Sequence, residues 1–129
     1  MKLHADPRST RLAVTAYGDD HVAVNGRILR RSFLLLPERI DESWGPADYA
    51  SLTAEHLAAL VAVPCDVLLL GTGRRQRFPP PALLRPLIEA GRSVEIMDTQ
   101  AACRTYNILM AEGRLVGAAL VVEAAALSR

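Results

Sequence analysis

From residue 53 to residue 123 the hydrophobic period alternates between that of a helix and that of a strand, and this alternation restricts the fold more than any other feature of the chain. "CDVLLLG" and "SVEIMD" are short apolar runs of strand length, and "RLVGAALVVE" is a third. Between them lie "PPALLRPLIEAG", with Leu83, Leu84, Leu87 and Ile88 on one helical side, and "QAACRTYNILMAEG". Prolines open the first of these helices and Gly91 closes it, while Pro86 bends or shortens it. Asp98 or Thr99 caps the second, and Gly113 marks its exit. Strand–helix–strand units in one sheet make right-handed crossovers between parallel strands. Residues 66–70 and 94–97 are therefore expected to run parallel, with Leu83, Leu87 and Ile88 packed over them. Gly71, Thr72, Gly73 and Asp98 then share the carboxyl edge, where ligands of parallel sheets usually sit.

The first third has a different grammar. "RLAVTAYG" and "HVAVNGRILRRSFLLL" alternate apolar residues around Asn25-Gly26, the pair best suited to a tight hairpin, and predict an antiparallel meander. Residues 37–52 lapse into a loop that wraps the domain, with Trp44 as its anchor or, alternatively, with Trp44 and Tyr49 turned toward a partner. Thr53 is the expected N-cap of "AEHLAALVAV", which buries Leu57, Leu60 and Val61 and stops at Pro64; His56 is read as a surface residue of its first turn. The 129 residues suit one α/β domain over residues 1–129: antiparallel hairpin strands joined to a largely parallel, partly self-folded central sheet flanked by helices.

Composition narrows the function classes. Aromatics make up 5% of the chain and the formal net charge is +1, which supplies neither stacking platforms nor a field for nucleic acid. The apolar runs fall short of the roughly 18 to 20 residues of a membrane-spanning helix, so no membrane insertion is expected. Cys65 and Cys103 lie far apart, and "MKLHADPRSTRL" lacks the apolar segment of a secretory signal; both features point to the cytoplasm. His4, His21 and His56 have no metal-ligand spacing and no serine sits in G-x-S-x-G, so neither a metal nor a cofactor is assigned. Cys103 beside Arg104 reads either as a favoured thiolate or as a small buried hydrophobe, the commoner case among alanines. Asp66 and Asp98 could act as acid–base groups, but Asp98 has a plain use as a cap.

The loop in "LLLGTGRRQRFPPP" is the main candidate site. Gly71 and Gly73 can free backbone N–H groups, and Arg74, Arg75 and Arg77 add charge for a small anion. Its motif is incomplete, because Gln76 stands where the dinucleotide fingerprint needs a third glycine and the G-K-[ST] end of a P-loop is absent. Two readings stay open: an anion-capable edge, or glycines that turn the chain beside solvated arginines.

The glycine loop, "SFLLLP", "MDT", "AACRTYN" and "AEGR" together resemble a small single-domain family of uncharacterised bacterial and archaeal proteins that includes a mitochondrial respiratory complex I assembly factor. The resemblance covers most of the chain. It implies a compact α/β domain with no established reaction, and maps the family's glycine loop and helix motif to Gly71, Thr72, Gly73, Arg104 and Asn107. Arg104 and Asn107, three apart, share a helix face; Arg104 is expected to pin the glycine loop through its carbonyls or to meet a ligand beside Asp98. The expected role is non-catalytic, an assembly-factor-like domain with an unknown protein partner, with homodimer formation left open. The alternative is a small-anion or metabolite-binding protein, or an enzyme, working at the strand-end loop.

Overall fold

The computed structural model describes residues 11–124. Strands β1 (Val14–Tyr17), β2 (Val22–Val24) and β3 (Arg27–Leu29) form a three-stranded antiparallel sheet. Its tight turn is Asn25-Gly26, both with positive φ (47° and 86°), as the sequence predicts. The meander then splits: β4 (Phe33–Leu36) crosses into a second sheet, so "SFLLL" does not continue the first.

The second sheet contains β4, β5 (Arg39–Asp41), β6 (Val67–Gly71), β7 (Glu95–Met97) and β8 (Val116–Leu120) in the order β5-β4-β8-β6-β7. β6 runs parallel to both β7 and β8, whereas β4 runs antiparallel to β8 and to β5. The expected parallel pairing is present, with Leu70 opposite Ile96. β5 corrects the reading of residues 37–52 as loop alone; three residues of polar–apolar–polar character are too short for a period to show. The rest of that segment does wrap the body, and Trp44 anchors it, buried and donating its indole N–H to the His56 carbonyl at 2.8 Å.

Helices α1 (Ala54–Ala58), α2 (Pro81–Glu89) and α3 (Thr99–Ala111) cover the sheet on two sides. Leu69, Ala118 and Leu120 share one core with α3 residues Ala102, Tyr106 and Met110 and with Val14, Val22 and Val24 of the small sheet. Leu68, Leu70, Ala119 and Val121 face the other core with Leu57, Leu60, Leu87 and Trp44. This strict alternation is the period-2 signature of strands buried on both faces. Right-handed crossovers explain why α2 and α3 lie on opposite faces: β6 to β7 steps outward, and β7 to β8 steps back past β6. α1 is shorter than its apolar pattern. After Ala58 the chain tightens into i→i+3 bonds such as Leu60 N–H to Leu57 O at 3.0 Å. His56 is half-buried and closes a reciprocal cap with Thr53, accepting its N–H at Nδ1 (2.9 Å). In α2 the buried stripe is narrower than predicted. Leu87 is fully buried, but Ile88 is 64% exposed, a correction to its expected place over the sheet.

Candidate functional site

Where β6 and β7 end, the crossovers that follow them turn to opposite faces. In open α/β sheets this switch point leaves a crevice for a ligand. Here the chain fills it. Gly71 packs so closely against α3 that a Cβ on it would stand 2.9 Å from the Thr99 Cα and 2.9 Å from its Oγ1. Thr72 donates its N–H to the Met97 carbonyl (2.9 Å), and Thr99 donates its own to Gly73 O (2.9 Å). The Gly73 N–H goes to Thr99 Oγ1 at 2.8 Å, and that hydroxyl donates to Val121 O at 2.7 Å. Gly71, Thr72, Gly73 and Asp98 are thus brought together, with Asp98 capping α3 by accepting the Ala101 N–H at 2.9 Å.

The next donor reaches an anion, but an internal one. Glu123, buried just after β8, accepts the Arg74 N–H on Oε1 (3.2 Å) and the Tyr49 N–H on Oε2 (3.1 Å). The Arg74 guanidinium stands 4.0 Å from the same carboxylate and also donates to Ala124 O. Gly73 must be glycine for two reasons: its φ is +97°, and a Cβ there would lie 2.5 Å from Glu123 Oε1. The remaining concavity, between Gly73, Thr99, Gln100 and His21, measures about 10 Å³, room for one water at most.

The rest of the loop is tied to its surroundings. Thr72 Oγ1 lies 2.6 Å from Arg75 O and accepts the Arg77 N–H at 3.2 Å, closing the turn. Gln76 Nε2 donates to Ile96 O on the free edge of β7 (3.1 Å). Arg77 lies 4.9 Å over the Tyr49 ring, a cation–π contact. Arg75 alone of the three arginines is exposed with no acceptor among the described residues.

Arg104 and Asn107 do share a helix face, but that face looks at the small sheet. Arg104 Nη1 donates to the Tyr17 hydroxyl at 3.0 Å and does not reach the glycine loop, which corrects its expected role. The Asn107 side chain copies a β-partner: Oδ1 accepts the Val14 N–H (2.8 Å) and Nδ2 donates to Val14 O (2.7 Å). Tyr106 adds a hydroxyl bond to Leu12 O at 2.7 Å. "CRTYN" is therefore a clasp between α3 and β1. Cys103 beside it is fully buried, and burial pushes its thiol up to about 12, the opposite of a favoured thiolate. Trp44 is buried and Tyr49 half-buried, so the loop at 37–52 does not present this pair to a partner. Glu123 had one weak signal in the sequence, a lone acid ending the apolar run "VGAALVVE".

Among the described residues no helix is long and apolar enough to cross a membrane, and no three His, Cys, Asp or Glu side chains group as metal ligands. Comparison with known proteins places this geometry in context. A Bordetella pertussis protein solved as an Mth938-like domain is 40% identical with a TM-score of 0.75, covering 98% of this chain and 96% of its own. The "NADH dehydrogenase [ubiquinone] 1 alpha subcomplex assembly factor 3" of Bos taurus is 32% identical over 110 residues and 84% of this chain. A "13 kDa major membrane protein" of Francisella tularensis is 35% identical over 74 residues, or 57% of this chain. The chain spans 59% and 60% of the length of these last two relatives. The pattern of a family described as protein of unknown function (DUF498/DUF598) matches residues 14–121, from β1 to just past β8. Spanning both sheets and all three helices, that match shows the chain to be a member of the DUF498/DUF598 family.

Proposed function

We propose that this chain is a non-catalytic protein-interaction domain with an assembly-factor-like role. The observation that carries the reading is the filled switch point: Thr99 and Glu123 occupy the donors and the space that a small ligand would need. The likeness to the Bos taurus assembly factor supports a protein partner as the alternative use of such a domain. Against a small-anion site at the glycine–arginine loop stands the loss of its donors to Glu123 and Thr99, which leaves the Arg75 side chain for an external anion. A cytosolic setting belongs to the same proposal, supported by two free, buried cysteines that suit a reducing compartment.

The test is to tag the chain in its native host, isolate it by mild affinity and size-exclusion steps, and identify what travels with it. A defined protein in constant ratio is expected. A chain that elutes alone, or only with itself, and whose melting temperature rises with inorganic phosphate would overturn the reading in favour of a ligand-binding protein.

A further inference from the structure

We infer that the partner docks on the strip running from Phe78 along the outer side of α2 to Ile88, and that it offers an apolar pocket rimmed by carboxylates. This rests on the interaction role proposed above. Phe78 is 69% exposed, whereas the other phenylalanine of the chain, Phe33, is fully buried. Leaving a phenylalanine in water on a loose loop would be unremarked surface, but this one is held. Thr72 closes the turn before it, Gln76 ties the loop to β7, and buried Pro79 and extended Pro80 (φ −63°, ψ 155°) fix the chain after it. An aromatic carried on a pre-ordered backbone has less entropy to lose on binding than one on a loose loop, which suits an interface anchor.

The strip continues along one helix face. Pro81, Arg85 and Ile88 are exposed and follow at i+4 and i+3, so they form one row on α2, which begins three residues after Phe78. A groove of about 440 Å³ runs beside Ile88, floored by Leu84, Leu87, Val94 and Ile96.

Charge names the partner's rim. Arg75 and Arg85 are exposed and have no acceptor among the described residues, and no Asp or Glu occurs in the sequence between Asp66 and Glu89. An exposed apolar anchor in the same stretch of chain as two guanidinium groups that have no acceptor among the described residues fits carboxylates around an apolar pocket. A lipid surface fits less well, because one exposed aromatic and two exposed arginines fall short of the combined signals that hold a protein on a membrane.

The complex isolated from the host is compared for wild type, Phe78→Ala, the pair Arg75→Glu with Arg85→Glu, and Ile28→Ala on the exposed side of β3. Phe78→Ala is expected to weaken binding by about tenfold or more with an unchanged melting curve. The charge-reversed pair weakens it comparably and flattens its salt dependence; Ile28→Ala leaves it unchanged. A benzoylphenylalanine photo-crosslinker at position 78 is expected to label a partner segment in which apolar residues neighbour Asp or Glu. Retention of the partner by both strip variants would overturn this surface while leaving the interaction role standing. No partner at all would overturn both. Phe78-dependent sedimentation with phosphatidylglycerol vesicles, without a protein partner, would assign the strip to a membrane instead.

Discussion

Arg77 and Phe78 are neighbours in sequence, and on either side of them the chain treats its polar and apolar groups in opposite ways. Up to Arg77, in the turn after β6, the groups that could meet a ligand are used internally, with the Arg75 side chain as the exception: Gly73 N–H by Thr99, Arg74 N–H by Glu123, the Arg77 guanidinium by Tyr49. From Phe78 onward the same ordered backbone carries exposed Phe78, Arg85 and Ile88. The difference teaches that a motif's position in a fold does not set its use. A glycine-rich turn at the carboxyl edge of parallel strands presents donors to whatever acceptor is nearest, and here the nearest is a buried carboxylate of the same chain.

The sharpest way to break the closed side is Gly73→Ala. A Cβ at φ +97° adds backbone strain and meets Glu123 Oε1 at 2.5 Å, so a loss of about 3 kcal/mol is expected in denaturant unfolding. Gly91→Ala is its comparator: φ is +68° but nothing lies within 4 Å of the new Cβ, so strain alone acts and the loss is about 1 kcal/mol. Thr99→Val keeps the shape but strands the buried Gly73 N–H and Val121 carbonyl, for about 2 kcal/mol in the same measurement. Asn107→Ala removes both bonds to Val14 and should cost about 1–2 kcal/mol, seen as faster amide exchange in β1 while β6 keeps its protection.

A smaller effect separates the buried face of α3 from its surface. Cys103 titrates from a usual 9.0 to about 12 in the fold. The unfolded chain can ionise it first, so its contribution is complete below pH 9 and is lost as pH rises toward about 12. The alkaline limb of the stability curve should be flatter in Cys103→Ala than in wild type. The open side should show the least: Phe78→Ala is expected to change the melting temperature by no more than a surface substitution does, within about 0.5 kcal/mol.

The parallel pairing of β6 with β7, the caps at Thr53 and Asp98 and the Asn25-Gly26 turn were legible in the sequence because each is decided by residues close together. Long-range partners were not. Nothing in "CRTYN" says that Arg104 reaches Tyr17, 87 residues away, or that Asn107 pairs with Val14, 93 residues away. Ile88 has the right spacing for burial, but α2 packs closely on α1, and Ile88 lines an open groove beside Val94 and Ile96 instead of a closed core. The glycine loop was placed correctly at the sheet edge, yet its occupant, Glu123, is a residue whose spacing from Gly73 carries no periodic signal.

The claim that the chain fills its own anion position is tested most directly by titrating the wild-type protein with inorganic phosphate and following the backbone amides of Gly71, Thr72, Gly73 and Arg74 by two-dimensional NMR. Because these donors are held by Met97, Thr99 and Glu123, no saturable shift is expected at Thr72, Gly73 or Arg74. A saturable shift centred on those amides, with exchange protection changing at Arg74 and Tyr49 as phosphate displaces Glu123, would contradict the account and restore the loop as a ligand site.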